Sequence, residues 1–336
     1  MGTLKIGIIG CGYWGPNLIR NFVEIPNSDV IAVADLDEDR LSFIQSRFPQ
    51  IKLTRDYHDL LLMGLDAIAI ATPPATHFDI AKECLENNLH VLVEKPMTLN
   101  SKDAVELINL AEEKGLTLMV GHTFEYNSAV HTLKEIIQSG ELGKIYYIDS
   151  ARLNLGLFQR DLNVLWDLAP HDISILLYLL EKEPISISAS GMKCAFDSVF
   201  DNVYMNLIFP ENILAHVHIS WLDPCKVRRV TVVGSQKMVV YNDISSNEKI
   251  KIYDKGIDIP SYTSGLEEFH CNYRYGDVVI PNVRFEEPLR KECQHFLDCI
   301  INNTIPVSNG HDGLRVIKVI ETAQRALLNG NGQEVV

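Results

Sequence analysis

Three side chains in this chain suit acid–base chemistry at an oxygen-bearing carbon. Lys95 stands in Glu94-Lys95-Pro96. An ammonium there can hydrogen-bond a reacting oxygen and stabilise the charge that develops on it. A desolvated lysine can also accept a proton. The plainer alternatives are an ion pair with Glu94 or an exposed lysine. Asp167 and His171 lie four apart in the segment 164–172, VLWDLAPHD. That spacing puts two side chains on one helix face. Histidine titrates near neutral pH and serves as a general acid or base, while an aspartate binds a hydroxyl. The alternatives are a helix cap for Asp167 and a packed core position for His171. Pro170 is tolerated in the first turn of a helix, so the helix is expected to start near Asp167 or Leu168.

A second constellation binds rather than reacts. Gly10-Cys11-Gly12-Tyr13-Trp14-Gly15 is G-x-G-x-x-G after an apolar run and before a helical stretch. In that context the pattern has a mechanism. Gly10 permits the tight turn, Gly12 lets backbone approach a pyrophosphate, and Gly15 lets helix and strand pack closely. The helix N-terminus then faces the anion, and Pro16 fits its first turn. Asp35 follows Gly15 by 20 residues, where a carboxylate accepts from the adenosine ribose hydroxyls. A 2′-phosphate would meet that charge at a cost of ~4 kcal/mol for one pair at ~4 Å and an effective dielectric of ~20. Leu36 and Asp37 supply no cation to offset it, so NAD is expected over NADP. Ala71-Thr72-Pro73-Pro74, with Thr76-His77, and Glu94-Lys95 close two later apolar runs. Carboxyl ends of parallel strands are where open α/β sheets bind ligands.

The elements that must hold these groups follow from periodicity. Apolar runs at 4–9, 30–34, 67–71, 91–93 and 116–120 have the length and two-sided hydrophobicity of buried parallel strands. Helical stretches at 15–24, 37–47, 76–87 and 101–114 alternate with them, with Ser101 read as a cap and Gly115 as a stop. This order predicts a doubly wound parallel sheet, a Rossmann domain over 1–122. After Gly121 a helix near 125–139, a strand at 144–153 and an apolar helix near 168–180 lead into close-spaced strands at 185–190, 203–209, 213–221, 227–233 and 237–241. They predict one large, mostly antiparallel open sheet in an α+β domain over 123–336. The stretch 254–284 is expected as loop, followed by helices near 286–302 and 312–328.

Composition narrows the partners. A hydrophobic share of 46% over 336 residues supports two ordinary cores. The net charge of −14 disfavours nucleic acid and anionic lipid. Seven dispersed cysteines without a C-x-x-C pair suggest reduced thiols in a cytoplasmic chain. No run approaches a membrane span, and the glycines from Gly7 interrupt any signal-peptide core. His216 with His218, and Cys293, His295 and Cys299, lack the companions of a metal site and are read as packing. Trp221 and Tyr204 are read as sheet core or subunit contact. His122 is either a cleft residue or domain-boundary packing. Arg152, Asn154, Gln159, Arg160 and Asn163 are either ligands for a sugar or diphosphate or a plain polar loop.

The G-x-G-x-x-G, the A-T-P-P, the E-K-P and the later D-x-x-x-H, in this order and over essentially the whole chain, resemble the Gfo/Idh/MocA family of sugar and inositol oxidoreductases. The resemblance implies that Tyr13, Trp14, Thr72, Pro73, His77, Glu94 and Lys95 join Gly10, Gly12, Gly15 and Asp35 around NAD. It implies a cis Lys95–Pro96 bond, Lys95 and His171 as catalytic groups and Asp167 on a substrate hydroxyl. His122, Arg152, Asn154 and Asn163 complete the implied substrate contacts, and no metal is implied. Residues 11–18 (CGYWGPNL) and 163–173 (NVLWDLAPHDI) are most similar to nucleotide-sugar 3-dehydrogenases of surface-polysaccharide pathways. That subgroup implies oxidation at C3 of a UDP-N-acetylhexosamine or its uronic acid, a pyridoxal-phosphate aminotransferase acting next, and a homodimer or homotetramer. Some relatives recycle bound NADH with 2-oxoglutarate. Inositol, free-sugar or ketosugar oxidoreduction stays open as an alternative. So do a non-catalytic NAD-sensing regulatory protein and a binding protein that keeps the cofactor for stability.

Overall fold

Strands buried on both faces must be apolar on both faces, and Leu4–Ile9 (β1) shows this with Ile6 and Ile8 fully enclosed. The structure, a computed structural model, describes residues 2–156, 158, 162–258, 272–330 and 333–335. Ser28–Ala34 (β2), Lys52–Thr54 (β3), Ala67–Ile70 (β4), His90–Glu94 (β5) and Leu118–Gly121 (β6) join β1 in one parallel sheet. Its order is β3-β2-β1-β4-β5-β6, reversing between β1 and β4, the switch point at which such sheets bind ligands. Gly15–Glu24 (α1), Glu38–Arg47 (α2), His58–Leu61 (α3), His77–Glu86 (α4) and Ser101–Lys114 (α5) form the crossovers. Asn100, not Ser101, caps α5 by accepting from the Asp103 N–H, and Gly115 ends it in the left-handed region.

The second unit begins with Ser128–Gln138 (α6), Ile145–Leu153 (β7) and Val164–Leu180 (α7). Helix α7 starts three residues before Asp167, because Asn163 caps it by accepting from the Trp166 N–H. Pro170 therefore lies inside the helix, where it has no N–H to offer the Trp166 carbonyl. Ser186–Met192 (β8), Asn202–Phe209 (β9), Ile213–Ser220 (β10), Val227–Gly234 (β11), Met238–Asn242 (β12), Ile250–Asp258 (β13), Asn272–Val279 (β14) and Gln333–Val335 (β15) complete its sheet. The order is β14-β13-β12-β11-β7-β10-β9-β8-β15, antiparallel except for the β7–β10 pair. Much of the stretch expected as loop over 254–284 is therefore strand. The sequence of β14, NYRYGDVV, is mostly exposed and carries no apolar alternation to reveal it.

Between β14 and β15 the chain forms Pro288–Asn302 (α8) and Gly310–Leu328 (α9). Residues 286–321 belong to the first unit together with 1–127, and the second unit comprises 128–285 and 322–336. This compact division differs from the expected domains 1–122 and 123–336 in grouping 123–127 and 286–321 with the first unit. Helix α8 joins the first core because Leu289, Cys293, Phe296 and Leu297 pack into the cluster of Ile6, Phe22 and Met119. The Phe22 and Phe296 rings meet edge to face at 6.5 Å.

Candidate active site

The fingerprint loop leaves β1 with Gly10 at φ +98°, and a Cβ there would sit 2.6 Å from the Ala71 backbone. Only glycine fits both the left-handed conformation and the approach of β1's end to β4's. A Cβ on Gly15 would lie 2.1 Å from the Gly10 carbonyl oxygen, so the helix start too can lie against the turn only without a side chain. At Gly12 the space is open, and the nearest atom to a Cβ would be Arg40 Nη1 at 3.9 Å. No side chain caps α1 and no acid lies in its first turn, so no side chain of that turn offsets the positive helix end. Tyr13 is 82% exposed and meets the half-open Trp14 edge to face at 5.7 Å. Two aromatic rings thus stand in water beside the loop.

Asp35 is enclosed at the end of β2. One carboxylate oxygen accepts from the Cys11 N–H at 2.5 Å and the other from the Asp37 N–H at 2.9 Å. Arg40, in the first turn of α2, brings Nη1 to 3.7 Å from Asp35 and Nε to 3.5 Å from Asp37. The argument from Leu36 and Asp37 missed this cation, since it sits on the following helix rather than beside Asp35 in the chain. Burial first, and then the Asp35 charge, push the Cys11 thiol up to about 12, so it stays neutral.

At the ends of β4 and β5 the backbone is held by His77. Its ring is 1% exposed, with Nδ1 at 2.8 Å from the Pro96 carbonyl oxygen and Nε2 at 2.8 Å from that of Thr72. Burial, with a contribution from Lys95, holds the imidazole below its ordinary protonation range. His77 therefore pins the Thr72 and Pro96 segments together, both of its ring nitrogens being taken up by backbone. Thr72 accepts a hydrogen bond from the Thr76 hydroxyl at 2.8 Å, and Pro73 is exposed. The Lys95–Pro96 bond is cis. Lys95 is partly accessible, and the adjoining Glu94 carboxyl is buried and pushed up to about 7, by burial against the opposing Lys95 charge. His122, open to either reading from sequence, is 1% exposed; burial and then Lys95 hold it down to about 3. The ring is thus enclosed and held in its neutral form.

In the second unit Asp167 and His171 lie one turn apart on α7, both partly accessible. Asp167 does not cap the helix; it accepts from Trp221 Nε1 at 3.0 Å. Trp221 is core, as read from sequence. Arg152 is 5% exposed and donates from Nε to Asp172, which also accepts from Ser150 Oγ at 2.7 Å. Arg152, expected from the resemblance as a substrate contact, forms a buried ion pair with Asp172, the residue following His171. Asn163 is likewise structural in what it shows: besides capping α7 it donates to Gln324 at 2.7 Å. Asn154 ties its backbone to Ser220 and Asp223. Gln159 and Arg160 lie outside the described residues. No group of three metal-binding side chains occurs among the described residues, where His216 and His218 contact Asn206 and Asn202 and His295 contacts Cys299. Sequence reasoning missed Arg40, Trp221 as the partner of Asp167, and Glu292, a fully buried acid on α8 whose charged and polar sequence neighbours make it read as a solvated face.

Comparison with known proteins agrees with this geometry. The profile described as "Oxidoreductase family, NAD-binding Rossmann fold" matches residues 4–122, and "GFO/IDH/MocA C-terminal domain" matches residues 130–240. A UDP-N-acetylglucosamine 3-dehydrogenase of Acidithiobacillus ferrooxidans is 30% identical over 94% of this chain and 94% of its own. A myo-inositol 2-dehydrogenase of Thermotoga maritima is 26% identical over 96% of each. Among solved structures, the Acidithiobacillus ferrooxidans enzyme superposes with a TM-score of 0.79, covering 99% of this chain and 100% of that one at 23% identity. The aldose-aldose oxidoreductase of Caulobacter crescentus gives 0.84 at 18% identity, with 99% and 100% covered, a likeness of fold. With a glycine-rich β1–α1 turn at the switch point, an acid closing β2 and both family profiles matched in order, this chain belongs to the Gfo/Idh/MocA family of NAD-binding oxidoreductases.

Proposed function

We propose that this dehydrogenase oxidises the C3 hydroxyl of a UDP-N-acetylhexosamine, or of its uronic acid, to a 3-keto sugar. The observation that carries the reading is the 30% identity, over 94% of both chains, with an enzyme named for that reaction. NAD supplies the hydride acceptor when bound. Gly10, Gly12 and Gly15 give the pyrophosphate a bare backbone surface, and Asp35 takes the ribose hydroxyls. His171 removes the hydroxyl proton, Lys95 stabilises the oxyanion that develops, and Asp167, held by Trp221, orients the sugar. The 3-keto product is then ready for transamination by a pyridoxal-phosphate enzyme in polysaccharide precursor synthesis.

The same reading has the protein work in the cytoplasm; no helix among the described residues is long and apolar enough to cross a membrane. It also has two or four copies pair through the uncovered face of the second sheet, which exposes Tyr147, Tyr204 and Leu214. The test is NADH absorbance across UDP-N-acetylglucosamine, its uronic acid, myo-inositol and scyllo-inositol. Turnover of a UDP-sugar alone is expected. Turnover of a polyol alone would favour the second reading, to which the scyllo- and myo-inositol dehydrogenases at 24% and 26% identity point. NAD binding without turnover of any of them would favour a sensing protein.

A further inference from the structure

Beside Lys95 the first unit encloses acids that the chemistry above does not use. Glu94 pairs across the sheet with Gly121 of β6. Its carboxyl is laid over that glycine so closely that a Cβ on Gly121 would sit 3.1 Å from Glu94 Oε2 and 3.2 Å from its Cα. The next residue is His122, and helix α8 contributes Glu292, with no exposed surface at all. Neither carboxyl oxygen of Glu292 and neither ring nitrogen of His122 has a hydrogen-bond partner among the described residues. Thr123 lies close enough to favour the ionised form of Glu292 slightly, without the geometry of a hydrogen bond. The other titratable groups around the pair are Lys95 on the β5 side, Glu125 and Tyr126 after β6, and Cys293 on α8, which also feels Glu287 and Arg20.

An unpaired carboxylate in such a place is far costlier than the neutral acid, and two acids that feel each other do not both ionise. Lys95 is adjacent to Glu94 and opposes the burial that would keep its proton. For Glu292 burial and the Glu94 charge act in the same direction, towards the neutral form. We propose that Glu94 and Glu292 hold one proton between them at neutral pH, with Glu292 the protonated member, and that Glu292 is a positioning residue acting through Glu94 on the charge at Lys95. This goes beyond the identity of the sugar and holds for any substrate of the site.

Infrared spectroscopy of the full-length protein tests the proton directly. At about pH 8, where ordinary carboxyl groups are ionised, the wild type should keep a protonated-carboxyl band that Glu292→Gln loses. Absence of the band from the wild type, or its survival in Glu292→Gln, overturns the proposal. The pH dependence of NAD+ affinity, followed by tryptophan fluorescence, tests the coupling. Glu94→Gln should flatten it, and Glu292→Leu, which puts an apolar side chain in place of a polar one that Glu94 feels, should move the inflection up by about one pH unit. No movement overturns the positioning role. Downward movement identifies Glu292 as the ionised member and overturns the assignment. If the leucine variant does not fold, the infrared comparison of wild type and the nearly isosteric glutamine variant still decides.

Discussion

Lys95→Ala and His171→Ala are each expected to lower the rate of NADH formation from a UDP-sugar by ~10²–10⁴-fold, the usual loss on removing a proton-transfer or oxyanion-stabilising group. Unchanged turnover in both would reject their roles. Asp35→Ala should weaken NAD binding and narrow the gap to NADP, measured as paired dissociation constants. Arg40 makes that gap smaller than Asp35 alone would set it, because its guanidinium lies 3.7 Å from the carboxylate and is half open to water. Arg40→Ala should therefore widen the preference for NAD, by a few-fold given solvent screening. Glu292 also leaves a mark on stability. Its folded-state protonation range lies well above the ordinary value of 4.5. As pH rises past about 4.5 the unfolded chain releases a proton that the folded chain retains, so stability falls with rising pH. Calorimetry should show Glu292→Gln gaining on the wild type as pH is raised above about 5. His122 acts in the opposite sense, since the folded ring at about 3 lies below the ordinary 6.5; its contribution is lost as pH falls below about 6.5.

Helix α7 is held on either side of Asp167 and His171, by the Asn163 cap and by the Arg152–Asp172 pair. Asn163→Ala removes the side-chain cap and should cost ~1 kcal/mol. Asp172→Ala leaves Arg152 buried without its carboxylate and should cost ~3–5 kcal/mol. Denaturant unfolding measures both, and a loss at Asp172 no larger than that at Asn163 would contradict the buried pair. The sequence places the start of α7 near Asp167 or Leu168 because Pro170 suits a first turn, whereas the cap is Asn163, five residues before Leu168. Elements bounded by glycine or proline were legible to the residue: β1 before Gly10, α1 from Gly15-Pro16, α5 up to Gly115. Those without apolar contrast, the three-residue β3 and the exposed β14, were not. The site divides in the same way. Motifs tied to backbone geometry, such as Gly10 and Gly15, read directly. Whether a polar side chain faces a ligand or its own fold, as for His77, Arg152 and Asn163, depends on partners distant in sequence.

The uncovered face of the second sheet follows strict alternation: Ala215, Val217 and Ile219 point inward, while Leu214, His216 and His218 point out, with His218 stacked at 4.1 Å on Tyr204 of β9. If copies pair through this face, Leu214→Asp with Tyr204→Glu should shift sedimentation to the monomer while leaving NAD affinity of the first unit unchanged. An unaltered sedimentation coefficient would place any association elsewhere. The mixed parentage of the first unit has a further consequence. Its core needs Phe296 and Leu297, which follow Phe22 by more than two hundred and seventy positions. A ribosome releasing this polypeptide from its amino end therefore delivers an unfinished nucleotide-binding body until Leu297 has been made. Fragments cut after residue 127 should be sticky and cofactor-blind, and a graft of 286–321 is what should mend them.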